Sequence, residues 1–188
     1  MSFAKLTTKE TSNMILSELI KSINLTSGKA LDLGAGSLLE SKFLLSVGYS
    51  VDAVDVDTVS ESFSREIHDD KFKFFKTKIE DFDFKDEEYD IVVSLLTLSF
   101  ISPDNFDKVF NAICGSLKRG GYTHLSFFGD RDAWAVTQQK MTFPTREKVE
   151  NLLKDFKIIQ FREEDKIGPT VRGDIKKWHI YNIVAQKL

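Results

Sequence analysis

One cysteine, three prolines and three histidines are few for 188 residues, and each scarcity excludes something. The lone Cys114 cannot form an internal disulfide or build a thiolate zinc cluster, so a reducing cytoplasm is the expected compartment. His68, His124 and His179 stand far apart with no H-x-x-x-H or C-x-x-C pairing, and no metal site is expected. Besides Pro103, Pro144 and Pro169, no Gly/Ser linker, repeat or low-complexity tract interrupts the chain, which reads as a single domain over 1–188. An excess of positive charge is also missing. Lys and Arg number 26 against 29 Asp and Glu, and a net charge of −3 offers no footprint for a nucleic acid. The most apolar stretch, Ile91 to Ile101, is well short of the roughly 20 residues that a membrane helix needs. The start, MSFAKLTTKE, has no apolar signal core, so no membrane partner is expected.

What is present is an alternation of helical and extended patterns. Thr11 and Ser12 precede Met14, Ile15, Leu16, Leu19, Ile20 and Ile23, whose spacing of three and four predicts a capped amphipathic helix. Strands are predicted at Lys29–Leu33, Ser50–Val54, Phe72–Phe75, Tyr89–Val93 and Tyr122–Phe128, with helices at about Leu38–Val47, Thr58–Ile67 and Pro103–Leu117 between them. Pro103, Asp104 and Asp107 suit the start of the last of these helices, and Lys118-Arg-Gly-Gly121 reads as its cationic end and glycine stop. Thr145–Lys154 reads as a further helix. Phe156–Phe161 and Ile175–Val184 read as an antiparallel strand pair, joined by a solvated loop at Glu163–Pro169. The predicted fold is α/β, a doubly wound, mainly parallel seven-stranded sheet with helices on both faces. Ligands belong at the carboxyl ends of such strands.

Two acids and a glycine turn fall there. Asp32-Leu-Gly-Ala-Gly36 ends the first strand, and Asp55, about 20 residues beyond the turn, ends the second, where a ribose-binding acid is expected. Gly34 and Gly36 let the backbone approach a ligand, and the Asp55 carboxylate can accept from both ribose hydroxyls. A dinucleotide fingerprint needs G-x-G-x-x-G/A, but Leu39 stands at its last position. Asp32 adds negative charge where a pyrophosphate would lie, which favours a ligand with an ammonium and a sulfonium; S-adenosylmethionine carries both. Asp52 and Asp57 read as structural, Asp57 as a helix cap. Cys114 and His124 read as interior residues, and Phe100, Phe106 and Phe110 as core.

The chain resembles the class I S-adenosylmethionine-dependent methyltransferases along nearly its whole length. The resemblance rests on Ala30-Leu-Asp-Leu-Gly-Ala-Gly36, Val51-Asp-Ala-Val-Asp55, Tyr89-Asp-Ile-Val-Val-Ser94 and Leu117-Lys-Arg-Gly-Gly-Tyr122. Its length, Phe127-Phe-Gly-Asp-Arg-Asp-Ala-Trp134 and Lys177-Trp-His-Ile-Tyr181 are most similar to the small bacterial tellurite-resistance type. One departure is Leu38, which stands where the family usually has a third glycine.

The resemblance implies an N-terminal helical segment (1–27), a cofactor-binding core (28–128) and a substrate-side helix with C-terminal hairpin (129–188). It implies that Asp32 holds the methionyl ammonium, Gly34, Ala35 and Gly36 line that moiety, and Asp55 with Val56 takes the ribose. Ile79 and Glu80 would meet adenine, although Lys78 stands where the family's acid would align, and Ser94 and Leu95 would face the transferring methyl. Arg131 and Trp134 are the candidate substrate contacts, and His179 or Asp132 the candidate base, facing the open edge. The nucleic-acid amino-methyltransferase signature is missing beyond Ser94, so the expected acceptor is a small molecule, methylated in line. The rival readings are a nicotinamide-dependent oxidoreductase and a non-catalytic S-adenosylmethionine- or partner-binding module. The sequence does not choose between monomer and homodimer.

Overall fold

Why a ligand crevice opens at one edge of this molecule follows from its strand order. The computed structural model describes residues 13–23, 27–170 and 172–188. The elements are α1 (Asn13–Ile23), β1 (Gly28–Leu33), α2 (Leu39–Ser46), β2 (Tyr49–Asp55), α3 (Thr58–Ser64), β3 (Phe72–Lys76), β4 (Tyr89–Ser94), α4 (Pro103–Ser116), β5 (Leu117–Phe128), α5 (Trp134–Thr137), α6 (Arg146–Leu152), β6 (Phe156–Pro169) and β7 (Ile175–Lys187). Short 3-10 turns occupy Ile79–Asp81 and Leu98–Phe100. The seven strands form one sheet in the order β3-β2-β1-β4-β5-β7-β6. β1 to β5 run parallel, and β7 runs antiparallel to both β5 and β6. The chain winds outward from β1 to β3, then crosses back to β4. This places the topological switch point, where the connections diverge, at the carboxyl ends of β1 and β4.

The alternation of side chains along the central strands divides the core between two faces. Leu31, Leu33, Val92, Leu125 and Phe127 pack with Phe106, Val109, Phe110 and Ile113 of α4 and with Val149 of α6. On the other face, Ala30, Val51, Ile91, Val93 and Val184 pack with Leu16, Leu19 and Ile20 of α1 and Leu44 of α2. Central parallel strands covered on both sides must be apolar throughout, as Ile91-Val-Val93 is. Thr11 and Ser12, expected to cap α1, lie outside the described residues.

Three expectations need correction. Lys118-Arg-Gly-Gly121 is not the end of α4; the helix stops at Ser116, and these residues belong to β5, beside a register shift between Tyr89 and Ile91. Lys118 is instead paired with Asp90 at 2.9 Å. Glu163–Pro169 is not a loop but the continuation of β6, in register with β7 as far as the Pro169–Ile175 pair. Its charges pair across to β7 and along β6 itself, Asp165 with Lys177 and Glu164 with Lys166 among them, which is why its composition reads as solvated. Phe100 leaves the core, half exposed, whereas Phe106 and Phe110 are buried. The Asp57 carboxylate does cap α3, accepting from the Val59 N–H at 2.9 Å.

Candidate active site

The turn after β1 owes its shape to two left-handed glycines, Gly34 (φ 71) and Gly36 (φ 49). A β-carbon on Gly34 would lie 2.2 Å from the Thr97 side chain, so this position requires glycine both for conformation and for space. The N–H groups of Gly34 and Ala35 donate to Val54 O at 2.8 and 3.1 Å, and that of Gly36 donates to Asp55 Oδ2 at 2.8 Å. All three donors are therefore spent within the protein. What the turn presents to a ligand is bare main chain and carboxylate, not the nest of N–H groups that binds phosphate.

Leu38 keeps the left-handed conformation that a glycine would adopt (φ 61, ψ 26), and its side chain is wholly buried against Ala35 and Ala53. A second left-handed leucine, Leu96 (φ 54), follows Leu95 at the end of β4, its N–H bonded to Ser126 Oγ at 2.7 Å. Strained backbone thus flanks the crevice on both sides.

The two acids differ. Asp55 is partly exposed at the crevice, with Oδ1 accepting from the Asp57 N–H at 2.7 Å and Oδ2 from Gly36. Each oxygen retains a lone pair for a further donor. Asp32 is buried and accepts from Ser41 Oγ at 2.6 Å. Burial, with Glu40 nearby, pushes its carboxyl up to about 8.

A cavity of about 330 Å³ opens beside this turn and is lined by Gly34, Asp55, Val56, Ile79 and Glu80 from the sequence-predicted set. Thr77, Lys78, Thr97, Phe100 and Ile101 also line it and were not predicted as ligand contacts. Their signal was weak because the apolar run through Ile101 reads as core; only the 3-10 turn at Leu98–Phe100 rotates Phe100 outward. A groove of about 400 Å³ lies away from this edge, between α4, α6 and the end of β7, and holds none of the predicted residues.

The other predicted residues are placed differently. Ser94 is buried and its hydroxyl donates to Leu33 O at 3.1 Å, joining β4 to β1; Leu95 is partly exposed. Asp132 and His179 do not face the open edge. Asp132 is buried, paired with Lys176, and accepts from the Trp134 and His179 N–H groups at 2.9 and 3.1 Å. His179 is fully buried, with Nδ1 accepting from the Arg131 N–H and Nε2 3.0 Å from Glu163 Oε1. That arrangement requires the Nε2–H tautomer and leaves neither nitrogen for a substrate proton. The Arg131 side chain turns to Glu163 and Asp165 of β6, at 2.6 and 3.2 Å. Trp134 packs on Phe128 and Trp178.

The family model described as "Tellurite resistance protein TehB" matches residues 4–180. No curated protein matches the chain in sequence. TehB from Haemophilus influenzae superposes with a TM-score of 0.81 at 19% identity, over 99% of this chain and 66% of that one, so the chain spans about two thirds of its length. A SAM-dependent methyltransferase from Methanosarcina mazei gives 0.70 at 23% identity, over 90% and 97% of the two chains. The 1,6-didemethyltoxoflavin-N1-methyltransferase of Burkholderia thailandensis, solved with 1,6-didemethyltoxoflavin and S-adenosylhomocysteine bound, gives 0.69 at 19% identity, over 96% and 80%. The crevice, the strand order and the family match converge: the chain belongs to the TehB tellurite-resistance family, and its fold is that of the S-adenosylmethionine-dependent methyltransferases.

Proposed function

We propose that the chain binds S-adenosylmethionine at the carboxyl ends of β1, β2 and β4 and methylates a small acceptor. The observation that carries this reading is the turn whose three N–H groups are spent internally while the acids Asp32 and Asp55 flank it. Such a turn has nothing to offer a pyrophosphate and much to offer a cation, which disfavours a nicotinamide dinucleotide. The residues fit the group. Asp55 has lone pairs for the ribose diol, Val56 and Ile79 supply an apolar lining for adenine with Glu80 at its edge, and the bare Gly34 lets Thr97 close against the turn. Asp32 would take the ammonium, directly or through a water, its ionisation favoured by that charge.

When bound, S-adenosylmethionine supplies an electrophilic sulfonium methyl that passes in line to a nucleophilic atom of the acceptor. The chain's part is to hold both partners in near-attack geometry, worth roughly 7 to 11 kcal/mol. Asp132 and His179, spent in internal bonds, serve the wall of the site rather than proton transfer. The family description supports a tellurium oxyanion as a first acceptor to try, and the Burkholderia neighbour's ligand supports small molecules more widely. S-Adenosylhomocysteine should raise the melting temperature, and NADH should not. Labelled methyl should then pass from S-adenosylmethionine to tellurite, selenite or a member of a small-metabolite panel. Stabilisation by NADH alone would overturn the reading. Cofactor binding without methyl loss to any acceptor would leave the non-catalytic module in its place.

A further inference from the structure

Lys176, the second residue of β7, sits in an unusual place for a lysine. Its side chain is 6% exposed and is ion-paired with Asp132, whose side chain is wholly buried. The ammonium lies 3.5 Å from the ring centroid of Trp134, 4.0 Å from that of Trp178 and 5.0 Å from that of Phe128. These rings touch one another, with centroids 5.4 to 5.7 Å apart. The chain has two tryptophans, and both are in this box.

The box closes the end of β5, the strand next to β4 at the crevice. Phe128 meets Phe100 edge to face at 6.2 Å, and Phe100 is part of the donor cavity's lining. The chain between Phe128 and Trp134 is fastened to β7. Gly129 and Ala133 N–H groups donate to His179 O and Lys177 O at 2.7 and 3.0 Å, and Arg131 N–H donates to His179 Nδ1 at 3.0 Å.

A buried ion pair is seldom the most stabilising way to fill such a space, and an apolar side chain of equal volume often does as well. What the ammonium adds is direction, since it attracts ring faces and a carboxylate at once. We propose that Lys176 is a positioning residue of the acceptor side: its ammonium, held by Asp132, fixes Trp134, Trp178 and Phe128 as one rigid aromatic wall beside the methyl-donor cavity. The inference rests on the methyltransferase reading above. The wall gives the acceptor an apolar surface to lie on and keeps water from the face where the methyl is transferred.

The test uses the full chain and acrylamide quenching of its tryptophan emission, which reports on the box alone. Lys176→Met should raise the quenching constant at least twofold and lower kcat/KM for tellurite, the probe acceptor, at least tenfold, with the affinity for S-adenosylhomocysteine changed less than twofold. In Lys176→Ala, propylammonium, which replaces the atoms removed, should restore both protection and turnover, and propanol should restore neither. Trp134→Ala leaves the ion pair in place and should lose acceptor turnover to a similar degree, which keeps the test decisive if the Lys176 variants fail to fold. Tryptophans as protected in Lys176→Met as in the wild type, or full turnover in Trp134→Ala, would overturn the proposal. Wild-type protein that binds S-adenosylhomocysteine but transfers no methyl would count against the proposed function; the quenching result would still decide whether Lys176 holds the wall.

Discussion

At the scale of single residues, burial decides the state of several side chains. Asp32 is the clearest. Its folded carboxyl is pushed up to about 8 from 3.8, so the fold holds a proton that the unfolded chain has released, and stability contributed by that proton falls as pH rises from about 4 towards 8. Asp32→Asn, which cannot ionise, should therefore gain in melting temperature over the wild type at pH 8 and gain little at pH 5, while losing affinity for S-adenosylmethionine. A scan at the two pH values measures it; an equal difference at both would contradict the buried ionisation.

Leu38 is held by opposing terms. The left-handed backbone costs roughly 1–2 kcal/mol, whereas its buried side chain contributes about 1.5–3 kcal/mol in transfer alone and leaves a void when removed. Leu38→Gly should accordingly destabilise by about 1–3 kcal/mol in urea titration, despite restoring the family's usual residue; a more stable variant would show that strain dominates. The placement of Asp32, the Gly34–Gly36 turn and Asp55 around the ends of β1 and β2 was legible, because a glycine turn and acids interrupt the apolar pattern of those strands. The burial of Asp132 and His179 was not legible, because a sequence shows that a side chain can take a proton, not that its atoms are already bonded. Both are bound to neighbours far along the chain, Asp132 to Lys176 and His179 to Glu163 among them.

At the scale of elements, the central strands were read close to their observed bounds, since Ile91–Val93 is apolar on both faces and only the buried Asp52 interrupts the apolar run Val51–Val54. The edge was harder. The second half of β6, Glu163–Pro169, is mostly exposed, its charges paired with β7, with Arg131 and along the strand itself, so neither periodicity nor apolar density marks it as a strand. The joint between α4 and β5 was also missed, because Gly120 (φ 77) and Gly121 can stop a helix or bend a strand with equal ease. One consequence concerns the segment from Gly129 to Trp134, which looks like a loop yet gives its N–H groups to β7 and Asp132. Amide exchange at Gly129, Arg131 and Ala133 should be as slow as in β7 itself. Exchange at the rate of an open loop would show that the wall is not fastened.

At the scale of the whole molecule, the doubly wound sheet places the crevice and lets α4 support it. Ile113 anchors α4 to the sheet, wholly buried among Phe110, Val109 and the strands, and Ile113→Ala should cost about 2–5 kcal/mol of unfolding free energy without altering cofactor affinity in the folded protein. A loss of affinity larger than the loss of stability explains would mean that the fold and the site are not separable in this way.

The account as a whole depends on Asp55 and the internally bonded turn holding the adenosine part of the cofactor. Calorimetric titration of S-adenosylhomocysteine into the wild type and into Asp55→Ala tests this directly. Saturable binding at one site per chain, weakened about 5- to 150-fold in the variant through ribose hydroxyls left without a partner (about 1–3 kcal/mol), is the predicted result. No binding to the wild type, or equal affinity in both proteins, would contradict it.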